Sequence, residues 1–105
     1  MPSNKLSKKK SPAPVSSGGW TFLTNHGHVL ICLAADPEMR LRDVAQKVGI
    51  TERAVQKIIA ELEAGGVLSH DKDGRRNRYT VHEKRALRHP VEAHCSVADL
   101  LGAIL

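Results

Sequence analysis

Aromatic residues are nearly absent from this 105-residue chain, which has one Trp, one Tyr and one Phe. Three rings, those of Trp20, Phe22 and Tyr79, cannot furnish the stacked platform on which single-strand nucleic-acid binders of the RRM or OB type hold successive bases. Cysteine is equally scarce. Cys32 and Cys95 are too few and too far apart for a disulfide framework or a Cys-x-x-Cys zinc clamp, which suits a reducing cytoplasm. The longest uninterrupted apolar run, Val29 to Ala35, has seven residues, against roughly 20 for a membrane-spanning helix. Lysines near the N-terminus are not followed by an apolar stretch, so no secretory signal is expected. No internal repeat is visible. A Gly-x-Ser-x-Gly elbow, a phosphate loop and a His-Glu-x-x-His pair are all missing, so neither catalysis nor a cofactor is expected. The length itself admits a single domain.

What the chain has is positive charge, unevenly placed. There are 16 Lys and Arg against 11 Asp and Glu, for a net charge of +5. Four of the bases, Lys5, Lys8, Lys9 and Lys10, precede residue 19 with no acid among them, leaving 12 bases against 11 acids in residues 19–105. Residues 1–18, dominated by Ser, Lys and Pro, cannot bury enough apolar surface to offset ordering entropy and read as a disordered basic arm suited to phosphates. Residues 19–84 read as the folded domain. Residues 85–105 read as a C-terminal extension.

Periodicity predicts three helices followed by a hairpin. Thr24 can cap a first helix over residues 25–35 that buries Val29, Leu30 and Leu33 and ends at Asp36-Pro37. Leu41, Val44, Ala45 and Val48 then recur at helical spacing up to Gly49. Thr51 can cap a third helix with Val55, Ile58, Ile59 and Leu62 on its buried stripe and Gly65-Gly66 as its stop. Next, Val67–Lys72 and Arg75–Val81 read as strands joined by an Asp73-Gly74 turn, which sets Leu68 opposite Tyr79. Arg76 and Arg78 fall on the other face with Ser69 and Asp71. Beyond Glu83 the pattern fades until Ser96, which can cap a last helix with Asp99 three residues on, a weak relative of the capping box, and that helix carries Val97, Leu100, Leu101 and Ile104 along one face.

Packing needs account for one side of the helical pair. Ala45 is small where two helices cross, Gly49 permits a tight turn, and Val44, Val48, Ile50, Val55 and Ile58 share a core. The third helix then turns Glu52, Arg53, Gln56 and Lys57 outward, residues whose side chains can read base edges in a major groove. Over residues 22 to 82 the chain resembles the winged helix-turn-helix transcriptional regulators of the ArsR and MarR kind. The matching residues are Val44-Ala45, Val48 through Thr51, Val55, the join from Leu62 to Leu68, and the hairpin from Gly74 to Tyr79. The resemblance implies a mainly α fold, a three-helix core plus a β-hairpin wing. It implies that Thr51 through Lys57 begin the helix that reads bases (Thr51, Glu52, Arg53, Gln56, Lys57). Arg75, Arg76 and Arg78, with Asn77 beside them, would meet the DNA backbone or minor groove. Arg40 departs from the pattern, standing where relatives usually place a Ser or Thr cap. No ligand pocket or thiolate sensor is recognisable, and the resemblance names no inducer.

Each of these features has a plainer reading. Arg53 with Lys57 and Glu52 with Gln56 are ordinary i, i+4 surface spacings, and charge on a hairpin edge discourages aggregation. Three arginines within four positions exceed that second need. His26, His28, His70, His82, His89 and His94 invite a metal reading, but no pair has the spacing of a tetrahedral site and none is expected. Cys32, within an apolar helix, reads as a small buried hydrophobe. The aliphatic C-terminal stripe is too short to be stable unless it packs, so Trp20, Val97, Leu100, Leu101 and Ile104 are the residues expected to join two copies. The expected partners are double-stranded DNA and a second copy of the chain. The alternative is a winged helix serving as a protein-protein module, because folds host unrelated functions.

Overall fold

The computed structural model describes residues 19–105; the basic arm expected over residues 1–18 lies outside the described residues. Four helices and a two-stranded antiparallel ribbon follow in the order α1 (Asn25–Ala35), α2 (Leu41–Val48), α3 (Glu52–Ala64), β1 (Leu68–Asp73), β2 (Arg76–Val81) and α4 (Val97–Ile104). This is a winged helix.

α1 is the hub, packing on α2, α3, β2 and α4. Its Val29 and Leu33 are fully inaccessible, as are Val44 of α2 and Val55 of α3. Burying such a side chain is worth about 1.5–3 kcal/mol, so these four positions, one or two per helix, set how the three helices cross. Leu68 and Tyr79 extend the same core into the base of the ribbon.

Helix boundaries follow local chemistry. The Thr51 hydroxyl accepts the Ala54 N–H at 3.0 Å and caps α3. Arg40 occupies the cap position of α2 with no side-chain bond, as does Thr24 for α1. Gly49 ends α2 at φ 88°, in the left-handed region where glycine carries no Cβ penalty. α3 ends in a Schellman motif: the Gly66 N–H donates to the Glu63 carbonyl and the Val67 N–H to the Leu62 carbonyl, both at 3.0 Å, with Gly66 at φ 77°. Ser96 and Asp99 form both halves of a capping box on α4.

The ribbon corrects one expectation. Leu68 pairs with Val81, and His70 pairs with Tyr79, so the turn consists of Gly74 and Arg75 and not of Asp73 and Gly74. Gly74 has φ 69° and Arg75 a negative φ, the pattern of a type II′ turn with glycine first. The pairing is shifted by two residues from the expected one. An even shift keeps every side chain on its face, so Arg76 and Arg78 still lie opposite to Leu68 and Tyr79.

The segment from His82 to Ser96, illegible in the sequence, is laid onto the domain by main-chain bonds. The Val97 N–H donates to the Arg85 carbonyl at 2.8 Å and the Leu87 N–H to the Cys95 carbonyl at 2.9 Å. Arg85 Nε donates to the Gly66 carbonyl at 3.1 Å, placing a cation over the C-terminal end of α3, where the helix dipole favours it.

Candidate nucleic-acid interface

α3 spends Val55, Ile58 and Ile59 on the core, and that choice dictates what remains outside. Thr51, Glu52, Arg53, Gln56 and Lys57 are all exposed. Arg53, Gln56 and Lys57, at i, i+3 and i+4, share one stripe of the helix, continued by the exposed and short Ala60. The stripe offers two cations and an amide without a large apolar side chain between them. Thr51 differs from its neighbours because its oxygen already serves the cap.

The wing carries the second basic group. Arg75 stands exposed at the turn. Arg76 and Arg78 are held back against the turn between α1 and α2: Arg76 Nη1 donates to the Glu38 carbonyl and Arg78 Nη1 to Glu38 Oε2, each at 3.3 Å. Asn77 lies on the opposite face of β2, half-buried, with its amide donating to the Tyr79 hydroxyl at 3.3 Å. The wing's aim is fixed where the Tyr79 N–H donates to the Pro37 carbonyl at 2.9 Å. Between turn and wing opens a cleft of about 350 Å³ lined by Glu38, Met39, Arg40, Leu41, Arg75, Arg76, Asn77 and Tyr79.

Two histidines tie the far half of α3 to its neighbours. His26 of α1 bonds Glu61 at 2.7 Å, and His70 of β1 bonds Glu63. The hydrogen bond from His26 is the main reason the Glu61 carboxyl lies below the usual carboxylate range. His82 bonds the Ser69 hydroxyl at 3.0 Å. Among the described residues no three His, Cys, Asp or Glu side chains gather as metal ligands, and no helix is long and apolar enough to cross a membrane. Cys32 is half-buried, and burial pushes its thiol above the ordinary value.

The residues expected to join two copies divide. Val97 and Leu101 are 2% and 4% exposed because they face the chain's own core, so they are already covered. Leu100 is half-buried. Trp20 and Phe22 stand out at 74% and 91% exposure, their rings edge to face at 4.9 Å, and Ile104 and Leu105 are exposed too. Phe22 borders an apolar groove of about 340 Å³ that runs past Leu30, Leu62, Leu87 and Leu100.

Glu38, Glu61, Glu63 and Arg85 escape sequence reasoning. Their partners lie 40, 35, 7 and 19 positions away, and only for Glu63 and His70 is the separation short enough for the helix-to-strand join to hint at it.

Residues 23–69 match the family model described as winged helix-turn-helix DNA-binding. Among solved structures, the PcaV transcriptional regulator from Streptomyces coelicolor in complex with its natural ligand is 26% identical, with 64% of this chain and 48% of PcaV covered at a TM-score of 0.49. A variant of Lactococcus lactis ZitR in complex with DNA is 17% identical, with 80% and 67% covered at 0.52. A further ZitR variant is 13% identical, with 96% and 70% covered at 0.55. The two ZitR structures share the fold of this chain. The chain spans about half the length of PcaV. None of the curated proteins matches it.

Proposed function

We propose, from the match of residues 23–69 to a winged helix-turn-helix DNA-binding family model, that this chain is a sequence-specific, double-stranded DNA-binding transcriptional regulator of prokaryotic type. It works in the cytoplasm without catalysis and without a cofactor. The observation that carries the reading is the division of α3: its inner stripe is buried while Arg53, Gln56 and Lys57 share the outer one. Arg and Lys suit guanine, Gln suits adenine, and an α-helix fits a major groove about 12 Å wide. Arg75, Arg76 and Arg78 then serve the backbone or the flanking minor groove, which positions the helix without reading sequence.

The protein acts as a homodimer on a two-fold symmetric operator, its half-sites about 34 Å apart or a multiple of that. Trp20, Phe22, Ile104 and Leu105, exposed and apolar, supply the contact, with Leu100 at its edge. Val97 and Leu101 support it from beneath.

Selection of bound duplexes from a random pool tests binding, symmetry and half-site spacing together. An enriched near-palindrome is expected. Arg53→Ala and Gln56→Ala should each cost about 1–3 kcal/mol on that site and relax its sequence, whereas Arg76→Ala should weaken all duplexes alike. Negligible duplex binding at about 50 mM salt refutes the reading and leaves a winged helix that docks on protein. A monomer by light scattering at micromolar concentration refutes the dimer.

A further inference from the structure

Glu38 is the acid in a cleft that Arg40, Arg75 and Arg76 also line. Its main chain and its side chain do different things. The carbonyl accepts Arg76 Nη1, and the carboxylate accepts Arg78 Nη1, both at 3.3 Å. A guanidinium meets a carboxylate and a phosphate through the same N–H···O⁻ chemistry, so the Glu38 carboxylate occupies on Arg78 the kind of place that an oxygen of a DNA phosphate would take.

We propose that Glu38 is an internal competitor for DNA, its carboxylate holding Arg78 in the free protein and giving it up to a backbone phosphate in the complex. The proposal rests on the DNA-binding reading above and adds to it a residue that sets the affinity of the wing. A phosphate that takes Arg78 Nη1 displaces the carboxylate from it, and the displaced acid then stays close to an anionic backbone. Both penalties disappear when the charge is removed. The side chains of Arg78 and Glu38 are 61% and 39% exposed, so water and salt screen the pair and the effect is modest. It falls on a backbone contact and is therefore common to all sequences.

Glu38→Gln isolates the charge. The bonds that aim the wing run to main-chain atoms of the turn, the Tyr79 N–H donating to the Pro37 carbonyl and Arg76 Nη1 to the Glu38 carbonyl, and within the turn the Glu38 N–H donates to Asp36 Oδ1. None of them needs the carboxylate. Fluorescence anisotropy with a labelled random-sequence duplex, at about 50 and 200 mM salt, would compare wild type, Glu38→Gln, Arg78→Ala and the double variant. Glu38→Gln is expected to tighten binding about two- to fivefold at the lower salt and to steepen the salt dependence. Arg78→Ala should loosen binding, and in its background the gain from Glu38→Gln should fall by more than half. Wild-type binding with no gain in Glu38→Gln, or with a loss, overturns the proposal while leaving the DNA reading intact. Failure of every variant and of wild type to bind duplex at about 50 mM salt overturns the DNA reading, and this proposal with it.

Discussion

Replacing Gly66 by Ala should destabilise the domain for two separable reasons. Gly66 sits at φ 77°, and an added Cβ would collide with Arg85 Nη2 and come within 2.9 Å of its Cζ. The backbone conformation alone costs an Ala roughly 1–2 kcal/mol. The contact with the guanidinium adds to this, because Arg85 must swing away and surrender its bond to the Gly66 carbonyl; for an exposed side chain that is about 0.5–1.5 kcal/mol. Gly49 provides the comparison. It has φ 88° with open space around a built Cβ, so Gly49→Ala bears the conformational cost alone. Gly66→Ala should therefore lower stability by about 1.5–3.5 kcal/mol and Gly49→Ala by about 1–2 kcal/mol. For a domain of this size each kcal/mol moves the melting temperature by about 4–8 °C. Thermal unfolding followed by far-ultraviolet circular dichroism measures both. The double variant Gly66→Ala with Arg85→Ala decides the cause, since removing the guanidinium abolishes the clash and leaves the φ cost. Its destabilisation should be smaller than the sum of the single ones by about 0.5 kcal/mol or more. Additivity of the pair, or equal effects at Gly66 and Gly49, would refute the reasoning.

Ser96→Ala should cost about 1 kcal/mol through loss of the capping box on α4, whereas Thr24→Ala, at a cap position without a side-chain bond, should cost clearly less in the same melting assay. Glu61 has its folded carboxyl lowered by His26. Such a group contributes stability above its unfolded value and loses it as pH falls through the folded one. Wild type should thus lose more stability than Glu61→Gln between about pH 5 and pH 3, and equal losses in acid denaturation would count against the bond. Burial raises the Cys32 thiol, so its alkylation should become appreciable only above the pH at which an ordinary exposed thiol reacts. Mass-resolved labelling of the Cys95→Ser variant across pH checks this, and a rate matching a free thiol at every pH would contradict it.

The legible parts of the fold were those encoded by neighbours in the chain. Gly49, Thr51 and the Gly65-Gly66 pair mark helix ends because each acts on its own backbone, and the apolar stripe of α3 left Arg53, Gln56 and Lys57 outside as the spacing required. The hairpin shows where such reasoning stops. Gly74 has a positive φ, yet it stands first in the turn and not second. A register shift of two residues leaves the same side chains buried, so the apolar pattern could not choose between the two pairings. Arg78 with Glu38, and Arg85 over Gly66, join segments with no shared periodicity. Val97 and Leu101 belong to the same stripe as Ile104, and only the packing of α4 on α1 reveals which of them the chain keeps for itself.

The turn between α1 and α2 also acts as a measuring piece. The wing grips it through the carbonyls of Pro37 and Glu38, while α2, which packs on α3, begins three residues after Glu38 at Leu41. The number of residues between grip and helix thus sets how far the ribbon stands from the helical pair. One extra residue there would slide the grip by about 3.3 Å, close to the rise of about 3.4 Å between successive nucleotides. On the proposed DNA-binding reading, lengthening or shortening this segment would move the wing's backbone contacts relative to α3 while leaving every side chain of α3 unchanged.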